Sequence, residues 1–172
     1  MPPKIWSSIS NNKYEQDYGA KLYRRGLYTY WRRTIPPPTM VNFNAAEREV
    51  CVVRKEKTNT PLQALTLMNN VVFVESARFL AERMLLEASA SRQSQIGYGF
   101  ELATGRWPSD SELDSLLDSY GKLAKAFDQD SALQLLSVGE EKRDESLDPV
   151  THAAMTMIAS TIMNLDETIT RE

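Results

Sequence analysis

The chain has 172 residues, 42% of them hydrophobic and 25% charged, with a formal net charge of −3. That is length enough for one domain with a buried core, and the composition excludes a disordered tail. No apolar run approaches the roughly 20 residues that cross a bilayer, so no membrane span is expected, and a single cysteine, Cys51, excludes an internal disulfide.

The first eighteen residues mix Trp6, Ile9, Tyr14 and Tyr18 with polar residues in no clear period. They read as an irregular N-terminal arm (1–18) that docks on neighbouring protein, and they lack the apolar core of a signal peptide. Residues 19–172 read as a single helical domain. Gly19 to Thr34 places Leu22, Tyr23, Leu27, Tyr30 and Trp31 near helical spacing, which predicts a helix with those side chains toward the core. Pro36, Pro37 and Pro38 must end it, because proline lacks the amide donor and disfavours helix in the residue before it. Residues 35–59 are then Pro-rich and irregular, with a short extended run at Val50 to Val53.

Thr60, Pro61 and Gln63 form a strong helix start: a threonine cap, proline at the first helical position, and the glutamine of a capping box. A break is expected near Asn69 and Asn70. The next helix, Val71 to Glu87, should bury Phe73, Ala77, Leu80, Ala81, Met84 and Leu85. Arg92 to Thr104 follows, carrying Ile96, Phe100 and Leu102 inward and stopping at Gly105. Ser109 and Glu112 make a second capping box, and the helix from Asp110 to Phe127 should bury Leu113, Leu116, Leu117, Tyr120, Leu123 and Phe127. Asp130 is placed as the cap of a short helix reaching Val138. Residues 139–147 form a charged loop, the best candidate for mobility. Asp148 and Pro149 open the last helix, with Ala154, Ile158, Thr161, Ile162 and Leu165 on one face and fraying only from Thr168. The fold class is all-α, a compact assembly of about six helices.

Residues 1–57 carry 11 Lys/Arg against 5 Asp/Glu, and residues 58–172 carry 9 against 18. A basic arm beside an acidic helical body is read as two parts of one protein that attract each other, ahead of a nucleic-acid or membrane surface. The Tyr23–Arg33 weave of aromatics and arginines could stack on single-stranded nucleic acid or offer platforms to a carbohydrate polymer. A helix would instead turn its aromatics to the core, so nucleic acid is disfavoured. Glu47, Arg48, Glu49 and Arg54 are the nearest approach to a polar site. Two carboxylates two residues apart hint at acid–base chemistry, while the competing reading is an Arg–carboxylate network bracing an irregular segment. Cys51 is read as a small buried hydrophobe. With one histidine, His152, and one cysteine, neither a zinc site nor a haem-attachment motif assembles within the chain. Met84, Met155, Met157 and Met163 read as core filler.

The run from Tyr14 to Leu65, with its Leu22-Tyr23-Arg24-Arg25 and Thr58-Asn59-Thr60-Pro61-Leu62-Gln63-Ala64-Leu65 motifs, resembles one family when joined to two later elements. These are Leu102-Ala103-Thr104-Gly105-Arg106 and the ending Asn164 to Arg171. The family is the planctomycete-specific PSD C-terminal domain, domain of unknown function 1553. The resemblance implies the C-terminal portion of a large secreted or cell-surface protein whose upstream part joins a cytochrome-c-like module to a second domain. On that reading any haem belongs to the upstream module, no cofactor sits in this chain, and its partners are upstream domains of the same or a related protein. Family members often carry Asp-Ala-Pro where this chain has Asn44, Ala45 and Ala46. The functional expectation is a non-catalytic helical scaffold or interaction module. The alternative is part of an enzyme or polysaccharide-binding site at the cell surface, built on Glu47 to Arg54.

Overall fold

In place of one helix over Gly19 to Thr34, the chain makes two single 3-10 turns, Gly19–Lys21 and Gly26–Tyr28. The computed structural model describes residues 17–31, 36–46, 51, 53 and 58–170, so only 17 and 18 of the expected arm and parts of 47–57 come into view. The turns are closed by the amides of Leu22, Tyr28 and Thr29 on the carbonyls of Gly19, Arg25 and Gly26. The α-helix fails here for local reasons. Gly19 has a positive φ of 60°, Arg25 is extended with ψ 148°, and Gly26 sits mid-run, where glycine costs a helix about 1 kcal/mol. The expected inward face is therefore overturned: Tyr23, Leu27 and Tyr30 are exposed, and Trp31 is half-buried.

The chain divides into two units, residues 1–58 and 59–172. In the first, Pro38–Asn42 forms a short helix, α1, where only irregular chain was expected. Pro37 precedes it and Pro38 occupies its first turn, where a fixed φ suits the helix and the missing amide is not needed. Asn44 ends it in the left-handed region at φ 53°, which a short amide side chain tolerates. The amide of Ala45 reaches the Met40 carbonyl at 2.8 Å and that of Asn44 the Val41 carbonyl at 3.0 Å, the paired bonds of a Schellman ending. The Asn44 side-chain amide also donates to the Thr58 hydroxyl, a bond that an aspartate there could not donate.

The second unit contains α2 (Pro61–Asn69), α3 (Val71–Glu87), α4 (Arg92–Thr104), α5 (Asp110–Ala126), α6 (Gln129–Leu136), α7 (Pro149–Met163) and the single turn α8 (Asp166–Ile169). Helices account for all the regular structure among the described residues, and none is long and apolar enough to cross a membrane. Both expected capping boxes form. The Gln63 amide donates to the Thr60 hydroxyl while the Thr60 amide reaches the Gln63 side chain, and Ser109 and Glu112 do the same. Asn70 separates α2 from α3 by itself, ending one helix and capping the next by accepting from Val72 at 3.0 Å. Gly105 ends α4 at φ 82°. One cap differs from expectation: Asp128, rather than Asp130, starts α6, because its carboxylate reaches the Ser131 amide at 2.8 Å.

The core is centred on α7. Nine of its residues are buried, from His152 to Ile162, so the helix is covered round most of its circumference. Met155, Ile158, Ala159 and Ile162 meet Ala77, Ala81 and Met84 of α3, Ile96 and Phe100 of α4, and Leu116 of α5. A smaller cluster joins Ala153 to Ala132 and Leu136 of α6. Two expected inward residues turn outward: Leu102 is 40% exposed, and Thr161 faces solvent with its hydroxyl on the Met157 carbonyl. The tail is held further than expected, since Thr168 bonds the Ile162 carbonyl at 2.9 Å.

Glycine permits two close approaches on α4. A Cβ at Gly97 would lie 2.3 Å from the Trp107 indole, and one at Gly99 would lie 2.4 Å from the Met84 sulfur. Met84 is fully enclosed whereas Trp107 is half exposed and can swing away. Gly99→Ala should therefore destabilise by about 1–2 kcal/mol, despite alanine's better helix propensity, and Gly97→Ala by less. Thr60→Ala should cost about 1 kcal/mol through loss of its cap. Urea denaturation of the three variants checks both expectations.

Candidate functional site

Of the residues that the sequence offered as a polar site, Glu47, Arg48, Glu49 and Arg54 lie outside the described residues. Cys51 is described and corrects its reading. It is exposed, in a stretch without regular secondary structure, and is not a buried hydrophobe.

The densest polar centre in the second unit lies elsewhere, on α3. Glu75, Arg78 and Glu82 recur at i, i+3 and i+7 and so share one stripe of the helix. The Glu75 and Arg78 residues are 5% and 1% exposed, and the Glu82 side chain is 12% exposed. Arg78 sits between the carboxylates, with Nη2 3.6 Å from Glu75 Oε1 and Nη1 donating to Glu82 Oε1 at 3.3 Å. Nη2 also donates to the Glu141 carbonyl at 2.7 Å. Glu75 Oε1 accepts the backbone amides of Glu140 and Glu141 at 2.8 and 2.9 Å, and Glu82 Oε1 accepts that of Asp144 at 3.3 Å. The charged segment 139–147, expected as a mobile loop, is thus tied to α3 through its backbone at 140, 141 and 144. Gly139 makes the approach feasible: its φ is 109°, and a Cβ there would lie 2.4 Å from the Glu75 carboxyl carbon.

His152, from the first turn of α7, lies under this network. It is fully buried, and its Nε2 is 3.6 Å from Glu82 Oε1. Neither ring nitrogen meets hydrogen-bond geometry with a protein atom, although the Arg78 backbone carbonyl is near enough to favour the protonated ring. Burial pushes the imidazole down to about 4 from its ordinary 6.5. The Arg78 and Arg143 cations act in the same direction, and Asp144 opposes them. At neutral pH the ring is therefore uncharged, and its contact with Glu82 is not an ion pair.

A second polar assembly gathers stretches that are distant in sequence. Arg106 forks to Glu112 at 2.8 and 2.9 Å and to Glu167 at 2.7 and 2.8 Å, and its guanidinium stacks 4.9 Å from the Phe100 ring. This fork and the Ser109 cap hold Glu112 down at about 2. Nearby, Asn59 donates to Asp166 at 2.9 Å. Asn59, Arg106, Asp166 and Glu167, one or two from each of three separate motifs, thus meet at one corner, beside an open depression of about 710 Å³ lined by Leu102 to Gly105, Asp166, Glu167 and Thr170. Both of its carboxylates are engaged by Asn59 and Arg106, so the corner is cross-braced rather than armed for proton transfer.

Among the described residues no group of three or more His, Cys, Asp or Glu side chains is placed to hold a metal ion. Nor does the sequence offer the cysteine pair of an attached haem: Cys51 is the lone cysteine, and His152 is fully buried. The α3 stripe escaped the sequence reading because it adjoins the apolar positions of the same helix. Its signal is Glu-x-x-Arg-x-x-x-Glu beside Ala77 and Ala81, where solvated charges would not be needed.

The chain matches, over residues 2–120, the model of a family described as PSD1, protein of unknown function (DUF1553). It belongs to that family. No curated protein and no solved structure matches it. The PSD1 match takes in α1 to α4 and most of α5, so Glu75, Arg78 and Glu82 fall inside it. Segment 139–147, His152 and the ending Asn164 to Arg171 fall beyond it.

Arg78→Met keeps roughly the same volume but leaves two carboxylates facing each other in a buried site. It should destabilise the second unit by about 3–5 kcal/mol, as removal of one partner from a buried pair does. Adding Glu75→Gln and Glu82→Gln should recover most of the loss in urea titrations.

Proposed function

We propose that this chain is a non-catalytic helical interaction module of a secreted or cell-surface multidomain protein, and that its partners are upstream domains of the same or a related polypeptide. One observation carries the reading: the described residues of the first unit hold a large apolar load that is open to solvent. None of the described residues of 17–31 and 36–46 is buried, while Tyr18, Leu27, Tyr28 and Tyr30 are 62–74% exposed. Aromatic side chains are costly to leave in water and are favoured where they anchor interfaces. The second unit adds a stripe of its own. Leu62, Leu65 and Met68 of α2 are 61%, 58% and 55% exposed, and Val71 and Val72 at the start of α3 continue the patch.

The polar assemblies support the same reading from the other side. Arg78, Glu75 and Glu82 are engaged by the backbone of segment 139–147 and by each other, and Arg106 by two carboxylates, as structural supports. The competing reading, catalysis or polysaccharide binding through Glu47, Arg48, Glu49 and Arg54, rests on residues outside those described.

The test is reconstitution in trans. The chain and the preceding part of its parent polypeptide, produced separately, should associate, and Leu65→Glu or Tyr28→Ser should weaken the association at least tenfold without shifting the melting temperature. Association indifferent to both substitutions, or polysaccharide binding with no association, would overturn the proposal.

A further inference from the structure

Segment 139–147 crosses a stripe of buried charge and covers an uncharged histidine, and this combination has a consequence that a plain loop would not have. We propose that residues 139–147 form an acid-released strap, latched to α3 by Glu75, Arg78 and Glu82 and opened by protonation of the His152 ring beneath it.

The latch is polar throughout. Backbone amides at 140, 141 and 144 end on two carboxylate oxygens, and the Glu141 carbonyl ends on Arg78. No apolar side chain of the central core takes part, so the strap can detach while α3, α4, α5 and α7 stay packed. The charged groups facing His152 are Glu82 and Arg78 from α3 and Arg143 and Asp144 from the strap. α6, the other helix at this end of α7, packs the apolar Ala132 and Leu136 on the neighbouring Ala153. With the strap closed, a proton on the ring would place a third cation beside Arg78 and Arg143, in a site sealed from water. With the strap open, the ring is hydrated and the Arg143 cation has left.

The sign follows from the ring's position at about 4 when closed and near its ordinary 6.5 when open. Opening takes up one proton at any pH between those values. The open fraction therefore rises about tenfold for each unit of acidification below 6.5 and levels off near 4. Above 6.5 the ring is neutral in both states and contributes nothing.

Native-state hydrogen exchange tests this on the full chain. The amides of Glu140, Glu141 and Asp144 should lose protection about tenfold per pH unit from 6.5 downward, once corrected for intrinsic exchange, while amides in α4 and α5 keep theirs. His152→Leu, which removes a ring making no hydrogen bond, should abolish the slope and leave the strap protected. Glu75→Ala should unprotect the strap already at pH 7. The proposal fails if the slope persists in His152→Leu, if the strap stays protected in Glu75→Ala, or if core amides lose protection in step with it.

Discussion

A helix that is buried round most of its circumference has to be covered, and α7 imposes that condition on the second unit. Its fifteen residues contain nine buried ones, leaving only a narrow strip at Thr161 open to solvent. Four other helices are needed to cover it, and their lengths and order follow from that task. Small residues set how closely they come: Ala159 on α7 with Ala77 and Ala81 on α3, and Ala153 with Ala132 of α6. The polar groups on α7 are absorbed locally where they can be. Thr156 returns its hydroxyl to the His152 carbonyl at 2.9 Å, which leaves the imidazole as the polar group without such an outlet.

The buried charges on α3 continue this constraint. Residues that close the open side of a buried helix must come from the chain that leads into it, and segment 139–147 carries Glu140, Glu141, Lys142, Arg143, Asp144 and Glu145. So polar a segment cannot cover a helix through apolar contacts. It is fastened through its backbone instead, and buried carboxylates are the acceptors that exposed amides need. Glutamate on an otherwise inward stripe of α3 is thus the complement of a strap whose residues 140–145 are all charged.

What could be read from the sequence was whatever is decided within a few residues. Thr60 with Gln63, Ser109 with Glu112, Asp148 with Pro149 and the Gly105 stop act over one turn, and each appears where its residues predict. The arm failed because apolar spacing was given more weight than two glycines. Tyr23, Leu27 and Tyr30 stand at helical intervals, yet Gly19 and Gly26 break the backbone between them. The ending of α1 was missed because asparagine at a left-handed position is a weaker signal than glycine. The polar centre was missed for a different reason: Glu75 lies more than sixty residues before Gly139 and His152, and nothing local in any of them announces the others. The pairing of Arg106 with Glu167 has the same character.

The single residue between α2 and α3 has a consequence for evolution as much as for structure. Asn70 is spent on both helices at once, as the end of one and the cap of the other, so no spare chain exists there to absorb a change in length. In an α-helix each added or deleted residue turns everything beyond it by about 100°. An insertion in α2 would therefore swing Leu62 and Leu65 round the axis, point the outward apolar stripe in a new direction and turn the buried Gln63 out of its site. The phase of that stripe is counted in whole residues from Asn70, and among sequences built on this plan the length from Thr60 to Asn70 should vary far less than the identity of the residues that fill it.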